Sequence, residues 1–463
     1  METRQVDFVA IGGGPAGHCA AMQAAKLGKK VLLIERNLVP GGNCLNSGTI
    51  PSKSLREAIL DLSRYNERSF YGSSCVTDIT IGDLNYRLNT VLEGERAVLL
   101  RQYKKNGIAF VRGEGHFLTP NLLEVCDESG KPFLHVESEK FLVSTGSEPR
   151  NPLHVPFDDE VILDSTRLLS IDRIPKTMLV LGGGVIGAEY ASFFAALGTK
   201  VEVLDKKKRL LPDLDAEIGI HLQVGLQEIG LVFHPKKIPD KIERIGDQAR
   251  VHCEDGSVFQ AEVLLYALGR TANVQNLGLP KTKIITNPRG YIPVNAFFQT
   301  EESHIYAAGD VIGYPALAST SSEQGRLVAL HAFGEKTHPF PTFYPLGIYT
   351  IPEISTCGYT EEELKHNNIF YEVGRAYYYE IARSHIAGSS HIGLFKILFH
   401  KETLEVLGIH IVGRNATENI HTGQVAMSFG AKLDYFVNHV FNYPTFAEGY
   451  RIAALNGLNK ISA

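Results

Sequence analysis

VDFVAIGGGPAGHCAAMQAAKLGKKVLLIE, residues 6–35, aligns without a gap on KTMLVLGGGVIGAEYASFFAALGTKVEVLD, residues 176–205. A constant offset of 170 pairs Gly12 with Gly182, Gly14 with Gly184, Gly17 with Gly187, Gly28 with Gly198 and Lys30 with Lys200. Each copy reads as an apolar β-branched run, a glycine cluster, about three turns of small and apolar residues, a Leu-Gly stop and a second apolar run ending in an acid. That pattern predicts two β-α-β units, and so an α/β fold built on two Rossmann-like domains.

Both glycine clusters spell G-x-G-x-x-G. The three glycines serve a tight turn, close backbone approach to a pyrophosphate and close packing of helix on strand, with the helix N-terminus aimed at the phosphates. Each unit ends on an acid 23 positions after its first glycine, Glu35 and Asp205, placed to accept from ribose hydroxyls. One such loop also suits a plain turn. Two copies with matching strand, helix and acid point to two dinucleotide sites, against the plainer alternative of a purely structural duplication.

The rest of the chain sets limits. Its 463 residues, 44% hydrophobic and 21% charged, allow two to four domains with ordinary cores. A formal charge of -5 offers no broad basic field, so nucleic acid and anionic membrane surfaces are not expected partners. The start, Met1 to Gln5, runs directly into a strand-like segment with no room for a signal peptide, and no apolar run is long enough to span a bilayer, so a cytoplasmic protein is expected. Six cysteines (Cys19, Cys44, Cys75, Cys126, Cys253 and Cys357) lack zinc-knuckle or C-x-x-C spacing, so neither a disulfide framework nor a bound metal is expected, and the four from Cys75 onward read as inert side chains.

Beyond the second repeat, strand-like LLYALGR and HIYAAGD lead to a break at Pro339-Phe340-Pro341. Past it, FKILFH and VLGIHIVG alternate as strands before helix-like runs, which predicts a mixed α+β domain from about residue 341.

Between the first acid and the next helix stands the segment GGNCLNSGTIPSK, residues 41–53. It resembles the G-G-x-C-x-x-x-x-C-x-P-S-K element of the flavoprotein disulfide reductases, with Cys44 at the first cysteine and Thr49 at the second. The dithiol of that family cannot form here. Its closing His-Pro-x-x-x-Glu element is likewise altered, to Tyr443-Pro444-Thr445-Phe446-Ala447-Glu448. A phenol, with an ordinary pKa near 10, is a poor proton shuttle at neutral pH beside an imidazole near 6.5. The two losses are coherent, because a thiol relay and its acid-base partner are needed only if electrons leave by way of sulfur.

The threonine in GTIPSK, together with GVIGAEYAS, GRTAN, GDVIGYP, GIYTIPEIS and FNYPTFAEGYRIAALNGLNK, makes the chain similar to the soluble, energy-independent transhydrogenase branch of that family. The resemblance implies bound FAD, NAD and NADP as substrates, hydride exchange from NADPH to NAD+ by direct flavin contact, and a homodimer or larger assembly. It implies an FAD domain in residues 1–150 and 271–340, an NAD(P) domain in 151–270 and an interface domain in 341–463. It also implies roles. Lys53 lies by the flavin and pairs with Glu189, while Tyr443 and Glu448 reach a partner's pocket. Thr49 and Cys44 face the reacting ring, Cys44 as an oxidation target or a retained packing residue.

Further cofactor contacts follow by the same resemblance. They are Pro15, Ala16, Arg36, Gly42, Asn43 and Gly48 around the first loop, with Gly115 and His116. Thr145-Gly146-Ser147 forms a second pass by the FAD and Gly309-Asp310 holds its ribitol chain, with Leu317, Ala318 and Ser319 beyond. On the nucleotide side they are Ile186, Lys206, Gly269 and Arg270. Asp205 favours NAD, whereas Lys206, Lys207, Lys208 and Arg209 could neutralise a 2'-phosphate or form only a solvated basic turn. Rival readings are an NAD(P)H oxidase or diaphorase on the same scaffold, and a non-catalytic flavin redox sensor.

Overall fold

The computed structural model describes residues 2–63, 79–389 and 392–461, so Cys75 lies outside the described residues. The chain forms two compact units, Met1–Ser54 with Tyr86–Arg150 and Gly269–Pro341, and Leu55–Asn85 with Asn151–Leu268 and Thr342–Ala463.

The first unit is built on a seven-stranded sheet. Ala109–Arg112, Val31–Glu35, Glu2–Ile11 and Pro132–Val143 lie side by side in parallel, and Ile305–Ala307 joins the far end of Pro132–Val143. Val31–Glu35 is buried at every position, as expected of a parallel strand covered on both faces. Leu122–Cys126 and Glu114–Thr119 extend the sheet antiparallel to Pro132–Val143. One face carries the helix Pro15–Lys26, started by proline at its first position, where the missing N–H costs no hydrogen bond. Ala318–Ala332 packs on it at Gly325, where an added Cβ would stand 2.0 Å from the Ala16 carbonyl oxygen.

In the second unit, Leu231–Pro235, Lys200–Asp205, Thr177–Leu181, Val263–Tyr266 and Ile162–Asp164 make an all-parallel sheet in that order. Its helix Val185–Ala196 is buried from Gly187 through Ala196, which explains why the segment is apolar all round rather than striped. A three-stranded antiparallel sheet spans residues 239–261.

The region after residue 341 holds a five-stranded antiparallel sheet in the order Leu346–Ile348, Ile354–Gly358, Val406–Val412, Leu394–His400, Tyr371–Tyr377. The expected strands FKILFH and VLGIHIVG are its buried centre. The helix Glu448–Ile461 lies on Tyr371–Tyr377, with Gly374 so close to it that a Cβ would fall 2.2 Å from the Ala453 carbonyl oxygen.

Within this unit the Lys396 side chain, 1% exposed, meets three carboxylates: Asp215 at 2.7 Å, Glu217 at 2.9 Å and Glu361 at 2.6 Å. Asp215 caps the helix Ala216–Glu228 by accepting from Glu217 N, and Arg375 grips Glu217 with two bonds of 2.7 and 3.0 Å. A buried cation so paired leaves no charge uncompensated.

Candidate active site

The two glycine loops match in the conformation and close contacts of their paired glycines. Gly12 has φ +100° and Gly182 φ +109°, a region L side chains rarely adopt. A Cβ on Gly12 would lie 2.3 Å from the Ser144 carbonyl oxygen, and one on Gly182 would lie 2.6 Å from that of Ala267. A Cβ on Gly17 or Gly187 would in each case stand 1.9 Å from the carbonyl oxygen of its own loop's first glycine. Gly14 and Gly184 sit at the N-caps of 12-residue helices with no side-chain cap and no acid in the first turn, which leaves the end N–H groups to an anion.

The terminal acids match as well. Glu35, 5% exposed, accepts from Gly13 N at 2.8 Å and from Asn37 N at 2.9 Å. Asp205 accepts from Gly183 N at 2.6 Å and Lys207 N at 2.7 Å. Both carboxylates latch their own loop and keep further lone pairs for hydroxyls. The basic run beyond Asp205 divides. Lys206, Lys207 and Lys208 are exposed, whereas Arg209 donates to the Pro212 and Leu214 carbonyls, both at 2.8 Å, and is taken up by its own turn. Ile186 follows Gly184 in the first turn of its helix.

In the first unit the loop opens on a cleft of about 490 Å³, within the range of small-molecule pockets. Gly12, Gly14, Pro15 and Ala16 line it from the first fingerprint, with Glu35 and Arg36 from the strand end. The segment 41–53 adds Gly42, Asn43, Cys44 and Thr49, and Gly115, Thr145, Gly146, Gly309, Asp310 and Ala318 are further expected residues that line it. A nucleotide's phosphates fit the cleft beside the uncapped N-terminus of Pro15–Lys26, in a loop whose close packing requires glycine at 12 and 17, and its ribose fits the retained lone pairs of Glu35.

Ser147 ties this wall together. Its hydroxyl donates to Asp310 at 2.7 Å and accepts from Arg270 Nε at 2.8 Å, while its carbonyl accepts from Arg270 at 2.7 Å and from the Asn43 amide. Arg270 follows Gly269, itself at φ +104°. Sequence reasoning missed Asn273, which lines the cleft, donates to Thr145 O at 2.9 Å and accepts at its own carbonyl from the Thr145 hydroxyl at 2.7 Å. It also missed Gln324, whose buried side chain accepts from Gly309 N at 2.8 Å. The GRTAN block held the first signal; nothing in the sequence marked the second.

The thiol lining the cleft is not activated. Burial pushes Cys44 up, and the Thr49 hydroxyl bonded to it and the Lys53 charge only partly offset that rise. Thr49 begins the helix Thr49–Leu62, Gly48 accepts from Ser52 N, and Lys53 Nζ lies 3.3 Å from the Ser52 hydroxyl.

Some expected contacts stand elsewhere. His116 turns its imidazole to Glu124 at 2.8 Å instead of lining the cleft, because alternation along its strand gives the cleft to Gly115. Leu317 is the N-cap of Ala318–Ala332 and Ser319 is exposed on that helix. In the second unit Glu189, 4% exposed, accepts from Tyr349 N at 2.8 Å. Tyr443 is 67% exposed, and Glu448 opens the helix Glu448–Ile461 with its buried Oε2 lacking a partner among the described residues.

The sequence profile of the pyridine nucleotide-disulphide oxidoreductases matches residues 6–325, and that of their dimerisation domain matches residues 344–454. The chain is 44% identical to the soluble pyridine nucleotide transhydrogenase of Mycobacterium tuberculosis (strain ATCC 25177 / H37Ra), over 99% of this chain and 98% of that one. It is 41% identical to the protein of the same name from Marinomonas sp. (strain MWYL1), over the whole of both. Among solved structures it is similar to LpdA from Mycobacterium tuberculosis, with TM-score 0.89 and 26% identity over 98% of this chain and 99% of that one. The HOCl-induced flavoprotein disulfide reductase RclA from Escherichia coli follows, with TM-score 0.87 and 25% identity over 97% and 99%.

Proposed function

We propose, because the chain belongs to the pyridine nucleotide-disulphide oxidoreductase family and within it to the soluble transhydrogenases, that it exchanges hydride between NADPH and NAD+ with FAD held in the cleft of the first unit. The observation that carries this reading is Thr49 hydrogen-bonded to a protonated Cys44, where a redox dithiol would otherwise stand. Electrons therefore have no exit through sulfur, and a second nicotinamide is the simplest direct acceptor. When bound, FAD supplies a two-electron carrier able to take hydride from one nicotinamide and return it to another.

The chain's own residues bind and orient. The Gly12–Gly17 loop and the N-terminus of Pro15–Lys26 hold the pyrophosphate, Glu35 a ribose and Asp310 the ribitol chain, with Ser147 fixing Asp310 in place. Lys53 supplies a cation that favours the negative charge of a reduced carrier. The Gly182–Gly187 loop and Asp205 hold the nicotinamide nucleotide, and Glu189 anchors their helix to the backbone of residue 349.

By this reading residues 1–150 and 271–340 serve FAD, 151–270 serve NAD(P), and 341–463 join two subunits in a cytoplasmic homodimer. A donor from a second subunit would satisfy the buried Glu448 oxygen, and Tyr443, left exposed, is offered to that partner. Among the described residues no helix is long and apolar enough to cross a membrane.

Anaerobic titration of the purified yellow protein tests the proposal. NADPH should bleach the flavin band and NAD+ should restore it, with parallel double-reciprocal plots in the steady state. A flavin that NADPH leaves oxidised refutes it. Turnover with oxygen or a quinone but none with thio-NAD+ assigns the protein to the oxidases or diaphorases instead.

A further inference from the structure

Three strands of the first unit place a second set of donor groups on the sheet face opposite Gly115. Glu124 stands directly across from His116 on one side and from His135 on the other. Opposed side chains in antiparallel strands have Cβ atoms about 5 Å apart, so the three form one row across the sheet. Cys126, two residues beyond Glu124 and past an irregularity in the pairing after Val125, joins this row.

The row is closely drawn together. His116 Nε2 lies 2.8 Å from Glu124 Oε1, and His135 Nε2 lies 3.4 Å from Glu124 Oε2. One ligand atom each from His116, Glu124 and Cys126 falls within 4.8 Å of the others. Cys126 is buried, and both histidines and Glu124 are partly exposed, which leaves a path from solvent. Glu114, directly across from Cys126, and Asp127, next to it in the chain, add carboxylates around the row.

We propose that His116, Glu124 and Cys126 bind a zinc-class divalent ion. Nitrogen, oxygen and sulfur donors in one set suit that borderline-soft metal, and tetrahedral zinc needs ligand atoms about 3.3 to 3.6 Å apart. Displacing the proton between His116 and Glu124 opens their 2.8 Å contact toward that spacing. His135 holds the second carboxylate oxygen and so orients Glu124, the outer-shell part that metal ligands characteristically require. Three protein ligands leave the fourth position to water. Binding releases the Cys126 thiol proton to solvent, the proton between His116 and Glu124 moves to His116 Nδ1, and no redox change is involved. Single-sequence spacing could not reveal this set, because hairpin register brings positions 116, 124, 126 and 135 together.

Cobalt substitution in the flavin-loaded, full-length protein provides the test. One equivalent of Co2+ should produce a thiolate-to-cobalt charge-transfer band, read as a difference spectrum above the flavin, that Zn2+ abolishes. Cys126→Ser should remove the band and Cys44→Ser should keep it, while His135→Gln should weaken Zn2+ affinity by about 10- to 100-fold in competition with a chelating dye. Should Cys126→Ser fold poorly, Glu124→Gln serves in its place and should lower Zn2+ affinity at least tenfold. A band that survives Cys126→Ser, or the absence of stoichiometric Zn2+ and Co2+ binding by the wild type, overturns the assignment.

Discussion

Replacing Gly187 by alanine separates the two nucleotide sites. The new Cβ would stand 1.9 Å from the Gly182 carbonyl oxygen, against an ordinary contact of about 3.3 Å, so roughly 1.4 Å of overlap must be relieved. Both groups are backbone, and Gly182 is pinned by its N–H to Leu204 O at 2.9 Å. Relief therefore comes from moving the helix Val185–Ala196, whose buried face then packs poorly. Overpacking of this kind costs about 3 kcal/mol, which corresponds to a loss of roughly 100-fold in affinity if it falls on the phosphate-binding geometry. The protein should stay yellow, while Kd for both NADPH and NAD+, measured calorimetrically on the holoenzyme, rises by about that factor. Gly17→Ala should do the reverse and yield a colourless chain that exogenous FAD does not restore. Gly198→Ala is the control: its φ of +93° makes alanine strained, but no atom lies within 4 Å of the new Cβ, so stability falls and Kd does not change. Gly187→Ala protein that binds both nucleotides with wild-type affinity would refute the reasoning.

Two further outcomes follow from the chemistry of the side chains. Lys396→Met should cost about 3 to 5 kcal/mol and lower Tm by roughly 5 °C in a thermal melt at neutral pH, because it takes from buried Asp215 its lysine partner and leaves Glu217 and Glu361 only Arg375 and Lys365. Burial works to raise those carboxyls, but hydrogen bonds and the Lys396 charge, with Arg375 at Glu217, hold all three below ordinary values. Their contribution is thus present above about pH 4 and lost as pH falls, so the Tm gap between wild type and variant should close in acid; a gap constant with pH contradicts the assignment. Thr49→Cys alone should give no lipoamide reduction in an NADH-coupled assay, since position 443 still lacks a base. Full activity from that single substitution would show that the Tyr443 replacement is incidental.

The glycine fingerprints were legible because their demands are local. A turn at positive φ and a helix pressed against its own loop exclude every side chain but hydrogen, wherever the rest of the chain runs. Glu35 and Asp205 were legible as acids that end strands, but not as acceptors from Gly13 and Gly183, because that needs the loop's fold. Asn273 and Gln324 reach the cleft wall from sequence positions far from the first loop, and only sheet order delivers them. The strands Ile354–Gly358 and Tyr371–Tyr377 escaped notice since their burial depends on neighbours distant in sequence. Lys396 reads as an ordinary charged residue in an apolar strand until three acids from two other segments surround it.

The latch role of Asp205 narrows the routes by which such an enzyme can change coenzyme. An arginine there would greet a 2'-phosphate but abandon two backbone N–H groups, so recognition would be gained while the loop that presents it came undone. Lys206, Lys207 and Lys208 hold no such duty in the turn through their side chains. Charge at those three positions can be tuned freely, and discrimination between the coenzymes can drift there with the scaffold untouched.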